Sequence, residues 1–123
     1  MQNPERISDT IKVLKQAIQE VGDLPVVSFS HKDKEGNIII SALKGVTWVN
    51  FSDDTGKNLT KEAVVWYNKE PSLASELISD LEKLKDEGDL PIRYLVNPLS
   101  YLFPRSEYIT TKDKHGINYI VIY

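Results

Sequence analysis

Between Arg93 and Lys112 the chain gathers the side chains best suited to hold a small anionic ligand: Arg93, Asn97, Tyr101, Phe103, Arg105, Tyr108, Thr111 and Lys112. Arg93 and Arg105 are two of only three arginines in the chain, and each carries a planar fork that matches phosphate oxygens. The rings of Tyr101, Phe103 and Tyr108 offer faces on which a nucleobase stacks, worth about 1–3 kcal/mol per base in single-strand binders. Asn97 supplies both a donor and an acceptor for a base edge. A plainer reading stands beside this one: Tyr101, Leu102 and Phe103 cap the core, and Arg93 and Arg105 pair with acids. Alternation along 91–96 puts Ile92, Tyr94 and Val96 on one face and Arg93 with Leu95 on the other.

Residues that would support catalysis are sparse. The two histidines, His31 and His115, each sit beside a charged turn and have no metal-ligand spacing. There is no Gly-x-Ser-x-Gly elbow, phosphate-binding glycine loop or dinucleotide fingerprint. Asp53-Asp54 ahead of Thr-Gly reads as a turn rather than a cation site. Trp48 and Trp66 fit a core or an interface better than a binding wall. No catalytic residue, metal or cofactor is expected.

Composition sets the outer limits. A chain of 123 residues, 41% hydrophobic and 27% charged, builds one ordinary globular domain. Without cysteine it has no disulfide, thiolate metal site or thiol nucleophile. Neither a signal sequence nor a membrane span is expected, so the reading is cytoplasmic, without a membrane partner. A net charge of −3 argues against a long nucleic acid. Charge is unevenly spread, however: residues 52–90 hold ten acids and five bases, whereas 91–123 hold two acids and four bases. The ligand-like stretch therefore lies in the positive third.

The elements that position these residues repeat. Gly22-Asp23-Leu24-Pro25-Val26 is echoed by Gly88-Asp89-Leu90-Pro91-Ile92, and Lys32-Asp33-Lys34-Glu35-Gly36 by Lys112-Asp113-Lys114-His115-Gly116. Ile7, Ile11, Leu14, Ile18 and Val21 form one apolar stripe, predicting a helix over 4–21 capped by Asn3 and stopped at Gly22. Leu73, Leu77, Leu81 and Leu84 do the same for a helix over 72–87 capped by Ser72. Strands are expected at 25–30, 37–43, 46–51, 91–96, 108–112 and 117–123, with turns at Lys44-Gly45 and Gly116. Residues 63–67 read as a strand, or as the end of a helix from Leu59; β-branched and aromatic content favours strand. The expected fold is α+β, an antiparallel sheet of about six strands flanked by two amphipathic helices in the order αβββ(β)αβββ. It forms one domain of two related units, about 4–51 and 72–123. About 14 extra residues, Asn97 to Thr110, then interrupt the second unit as a long aromatic insert.

In layout, a short amphipathic helix ending Gly-Asp-Leu-Pro-Val and running into a Lys-Asp-x-x-Gly hairpin resembles the sponge proteins of the phage anti-Thoeris family. That resemblance implies homo-oligomers, dimers or higher, acting in an infected bacterial cell. They would sequester a cyclic nucleotide or cyclic ADP-ribose-type immune signal without cleaving it. The alternative is a small phage protein-binding inhibitor or accessory factor that sets the aromatic 94–108 patch on a host protein.

Overall fold

The computed structural model describes residues 4–123. The chain runs through α1 (Ile7–Val21), β1 (Val26–Lys32), β2 (Ile38–Ser52), β3 (Leu59–Asn68), α2 (Ala74–Leu84), a 3-10 turn (Lys85–Glu87), β4 (Ile92–Asn97), β5 (Ser100–Leu102), β6 (Tyr108–Lys112) and β7 (Asn118–Ile122). The strands form one seven-stranded sheet in the order β5-β4-β3-β2-β1-β7-β6. The class is α+β, but the expectation of about six antiparallel strands is overturned. β3 and β4 run parallel, as do β1 and β7. Hairpin turns enforce antiparallel neighbours only between the strands they join. β3 reaches β4 through α2, a crossover that returns the chain in the same direction.

The two helices do not cover opposite faces. Leu14 and Ala17 of α1, Leu77 and Leu81 of α2, and Tyr94 and Ile120 of the sheet share one buried core. Val27, Val64, Leu95 and Val121 are also buried but lie outside that cluster, on the other side of the sheet. The sheet bends enough for the end of β4 to meet the end of β1 across two intervening strands, where Asn97 Nδ2 lies 3.1 Å from Ser30 Oγ. On the helix side Tyr94 is fully buried and shares a 2.9 Å hydrogen bond with Thr10, and burial holds its phenol well above the ordinary range.

The Gly-Asp-Leu-Pro repeat has a structural purpose that spacing alone did not show. Asp89 accepts from the backbone N–H and hydroxyl of Ser8 at 2.8 and 2.6 Å, in the first turn of α1. Asp23 does the same for Ser75 in the first turn of α2, with the backbone N–H at 2.8 Å. Each copy of the motif thus caps the helix of the other half, satisfying N–H groups that have no partner inside the helix. Asn3, the expected cap of α1, lies outside the described residues. At Arg6 the chain instead turns into α1 with its N–H donated to Asp9 at 2.8 Å. Ser72, the expected cap of α2, is buried and spends its backbone between Leu43 and Val26.

Two strand boundaries also differ from expectation. Lys44-Gly45 is a bulge inside one fifteen-residue β2, with Gly45 at φ 82°, rather than a turn between two strands. The supposed insert is no insert. The first part of β2 ladders with β1 and its second part with β3; β5 ladders with β4, and β6 with β7. β5 and β6 are therefore the two halves of β2's counterpart, broken at residues 103–107. The Lys-Asp-x-x-Gly echoes are not equivalent positions, since one joins β1 to β2 and the other β6 to β7. They share only turn chemistry: Asp33 and Asp113 each accept two backbone N–H groups of their own turn.

Candidate functional site

Arg93 is committed to the protein. Alternation on neighbouring parallel strands places it on the face away from the helices, beside Glu62 of β3. Its Nε and Nη2 donate to Glu62 Oε1 at 3.2 and 2.8 Å, and Nη2 also reaches Oε2 at 2.8 Å. The two side chains are only 15% and 13% exposed. The guanidinium lies 3.8 Å from the ring centre of Phe51, 4.8 Å from Phe103 and 5.0 Å from Tyr101. Phe51 meets Tyr101 edge-on at 5.6 Å. A cation neutralised by a bidentate carboxylate and enclosed by rings is a poor phosphate ligand. Its effect is to fasten β5 and the segment after it onto β2 and β3.

A different place has the features of a binding site. The register of β1 slips between Phe29 and His31, which leaves Ser30 as the extra residue of a bulge. Such bulges re-aim a side chain. Ser30 Oγ accepts from Asn97 Nδ2 at 3.1 Å and lies 2.9 Å from His31 Nδ1. The Asn97 amide is oriented by its other end, since its Oδ1 accepts from Leu99 N at 2.9 Å. Ser30 Oγ and His31 Nδ1 share one hydrogen bond whose donor is set by the imidazole tautomer. Ser30 and His31 line a groove of about 360 Å³ between β1 and the β4–β5 edge, and Asn97 holds Ser30 from behind that lining. Its walls are mainly apolar, with Phe29, Val96, Tyr101 and Leu102 among them, and Lys32 supplies a cation.

The eight residues picked out in sequence do not converge. Tyr101 lines this groove, and Asn97 reaches it only through its hydrogen bond to Ser30. Arg93 and Phe103 belong to the stacked ion pair. Arg105 is exposed in the break between β5 and β6. Tyr108, Thr111 and Lys112 lie on β6, the opposite edge strand from β5. There Tyr108 is tied to α1 by a 2.6 Å hydrogen bond from its hydroxyl to Glu20, which raises the phenol's pKa. Thr111 and Lys112 stand opposite Tyr119 and Asn118.

Sequence reasoning missed Ser30, Lys32, Phe29, Phe51 and Glu62. Glu62 gave one usable signal: an acid two positions before the apolar Val64, on the same strand face. Ser30 gave none, because a bulge is set by pairing and leaves no residue-type signature here. Trp66 donates to Thr47 at 2.8 Å, and Trp48 lies under Lys61 at 4.4 Å. Neither ring borders the groove. Among the described residues, no cluster of three or more His, Cys, Asp or Glu stands ready to hold a metal ion. No helix there is long and apolar enough to cross a membrane. Comparison with family models, with curated proteins and with solved structures gives no match.

Proposed function

We propose that the chain is a non-catalytic binding protein that holds a small anionic ligand with a flat ring in the groove between β1 and the β4–β5 edge. A nucleotide-derived signal such as a cyclic nucleotide or a cyclic ADP-ribose-type molecule fits that description, and retention without cleavage would make the chain a sponge. The observation that carries the reading is the bulge-placed Asn97–Ser30–His31 chain at the edge of an apolar groove. Phe29 and Tyr101 give a ring apolar and π surface, while the Lys32 ammonium favours an anion. A groove of about 360 Å³ is in the range of small-molecule sites. Ser30 and His31 do not make an activated nucleophile in this reading. Among the described residues His31 has no side-chain hydrogen bond beyond the one to Ser30, so no third group orients it as a general base.

Native mass spectrometry with a panel of mono- and dinucleotides, cyclic nucleotides and cyclic ADP-ribose tests this. One ligand should be retained per chain, and Ser30→Ala or Asn97→Ala should weaken retention about tenfold, the effect of one lost hydrogen bond. Failure to retain any of them would overturn the reading, and a released ligand that had been chemically altered would overturn its non-catalytic part.

One observation favours a second reading, a protein partner. Leu99 is 94% and Phe103 64% exposed, in the turn before β5 and just after it. An apolar pair on a surface otherwise rich in charge suits a protein contact. Leu99→Ser, at the more exposed of the two and outside the groove lining, should then weaken the chain's effect on its partner while leaving groove binding unchanged.

A further inference from the structure

Among the described residues, Ile38–Ser41 ladders with β1 alone, because β3 joins β2 only from Ala42 onward. Asp33 N donates to Asn37 O at 2.9 Å, so strand alternation turns the N–H and C=O groups of Ile38 and Ile40 away from β1. These groups form an open edge. Its side chains are apolar on both faces: Ile38, Ile39 and Ile40 are 58%, 37% and 38% exposed. From Gly36 to Leu43 there is no charge and no proline. The usual devices that blunt an exposed edge are therefore missing at this one.

We propose that this edge pairs antiparallel with the same edge of a second copy of the chain, in a register centred on Ile39. Ile38 of one copy then exchanges main-chain hydrogen bonds with Ile40 of the other, and the two Ile39 side chains lie directly opposite. Three features select a second copy over another partner. The uncharged stretch offers nothing to attract a charged strand, and it meets itself without like charges. In this register every isoleucine faces an isoleucine, a favourable β-branched pair. One pairing uses up the edge, so the assembly closes as a two-fold dimer and does not grow into a fibre. Ile38 also lines the groove, so the second copy would extend the groove's wall along that side. Only this last consequence rests on the ligand reading; the dimer does not.

Paired strands this short bury less than the roughly 1,200 Å² of a stable interface, so the dimer is concentration-dependent. Sedimentation velocity of the ligand-free full chain, from low to high micromolar, should show a monomer–dimer equilibrium. Ile39→Lys and Ile39→Asp should each give monomers with an unchanged circular dichroism spectrum, and an equimolar mixture of the two should restore the dimer as a mixed pair. A wild-type monomer at every concentration overturns the proposal. So does a dimer indifferent to both substitutions, and so does a mixture that stays monomeric. Ligand retention is measured separately on the same variants, so failure of the dimer and failure of the groove reading are distinguishable.

Discussion

β2 runs unbroken from Ile38 to Ser52 and serves β1 at one end and β3 at the other. Its counterpart in the second half is split into β5 and β6, which end up as the two edges of the sheet. One change of local chemistry separates the two outcomes. The first half bends at Gly45, whose positive φ accommodates a bulge without ending the strand. The second half meets Pro104, which has no N–H to give a ladder, and Ser106 at φ 57°. A strand that bends stays in the middle of a sheet, and one that breaks leaves it open. The halves otherwise match closely. Val27 pairs with Val121 as Arg93 pairs with Val64, and each Gly-Asp-Leu-Pro turn caps the other half's helix. The groove lies where the match fails, between the bulged β1 of one half and the shortened β5 of the other.

The largest test of this comparison is at Arg93. Arg93→Val alone leaves Glu62 buried and unpaired and should cost about 3–5 kcal/mol in a urea unfolding experiment. Adding Glu62→Val removes the stranded carboxylate and should recover most of that loss. If the double variant is as unstable as the single one, the ion pair is not simply a substitute for apolar packing. Next come the exchanged caps. Asp89→Ala should cost about 1–2 kcal/mol and Asp23→Ala about 0.5–1 kcal/mol, because the bonds of Asp89 are part-buried and those of Asp23 exposed. Equal losses would mean that burial does not distinguish the two halves.

The smallest effect is on acid stability. Burial opposes ionisation of Asp89, but the hydroxyl and N–H of Ser8, with Lys85 and Arg6 nearby, hold its pKa below the ordinary value. Because the folded pKa lies below the unfolded one, Asp89 stabilises the fold fully above about pH 3.9 and loses that contribution as pH falls through its lowered folded value. Thermal melts from neutral to acid pH should therefore show a shallower decline for Asp89→Ala than for the wild type.

Much of this was legible in the residue order. Leucines and isoleucines at spacings of three and four placed both helices within a few residues of their ends, since an amphipathic helix must bury one stripe. Alternation placed Arg93 on the face opposite Tyr94, and the Gly-Asp-Leu-Pro turn is repeated in the residue order itself. Three features lay beyond reach. Asp23 and Asp89 cap helices 52 and 81 residues away, and a carboxylate carries no mark of which distant N–H it will meet. Glu62 finds Arg93 only because β3 and β4 run side by side in parallel, a consequence of where α2 packs. The cluster read from 93–112 separates because neighbours along the chain were assigned to opposite edges of a sheet.

The sequence by itself determined the α+β class, the two amphipathic helices, the duplicated motif and a supply of aromatic and cationic groups near the C-terminal third. Tertiary structure alone decided that the sheet is mixed, that Arg93 is neutralised, and that Ser30, His31 and Asn97 meet beside a groove. Periodicity is local and follows from which side of one element is buried. Pairing order, register and bulges are set by contacts between distant segments that compete for the same partners, and no local pattern encodes the outcome.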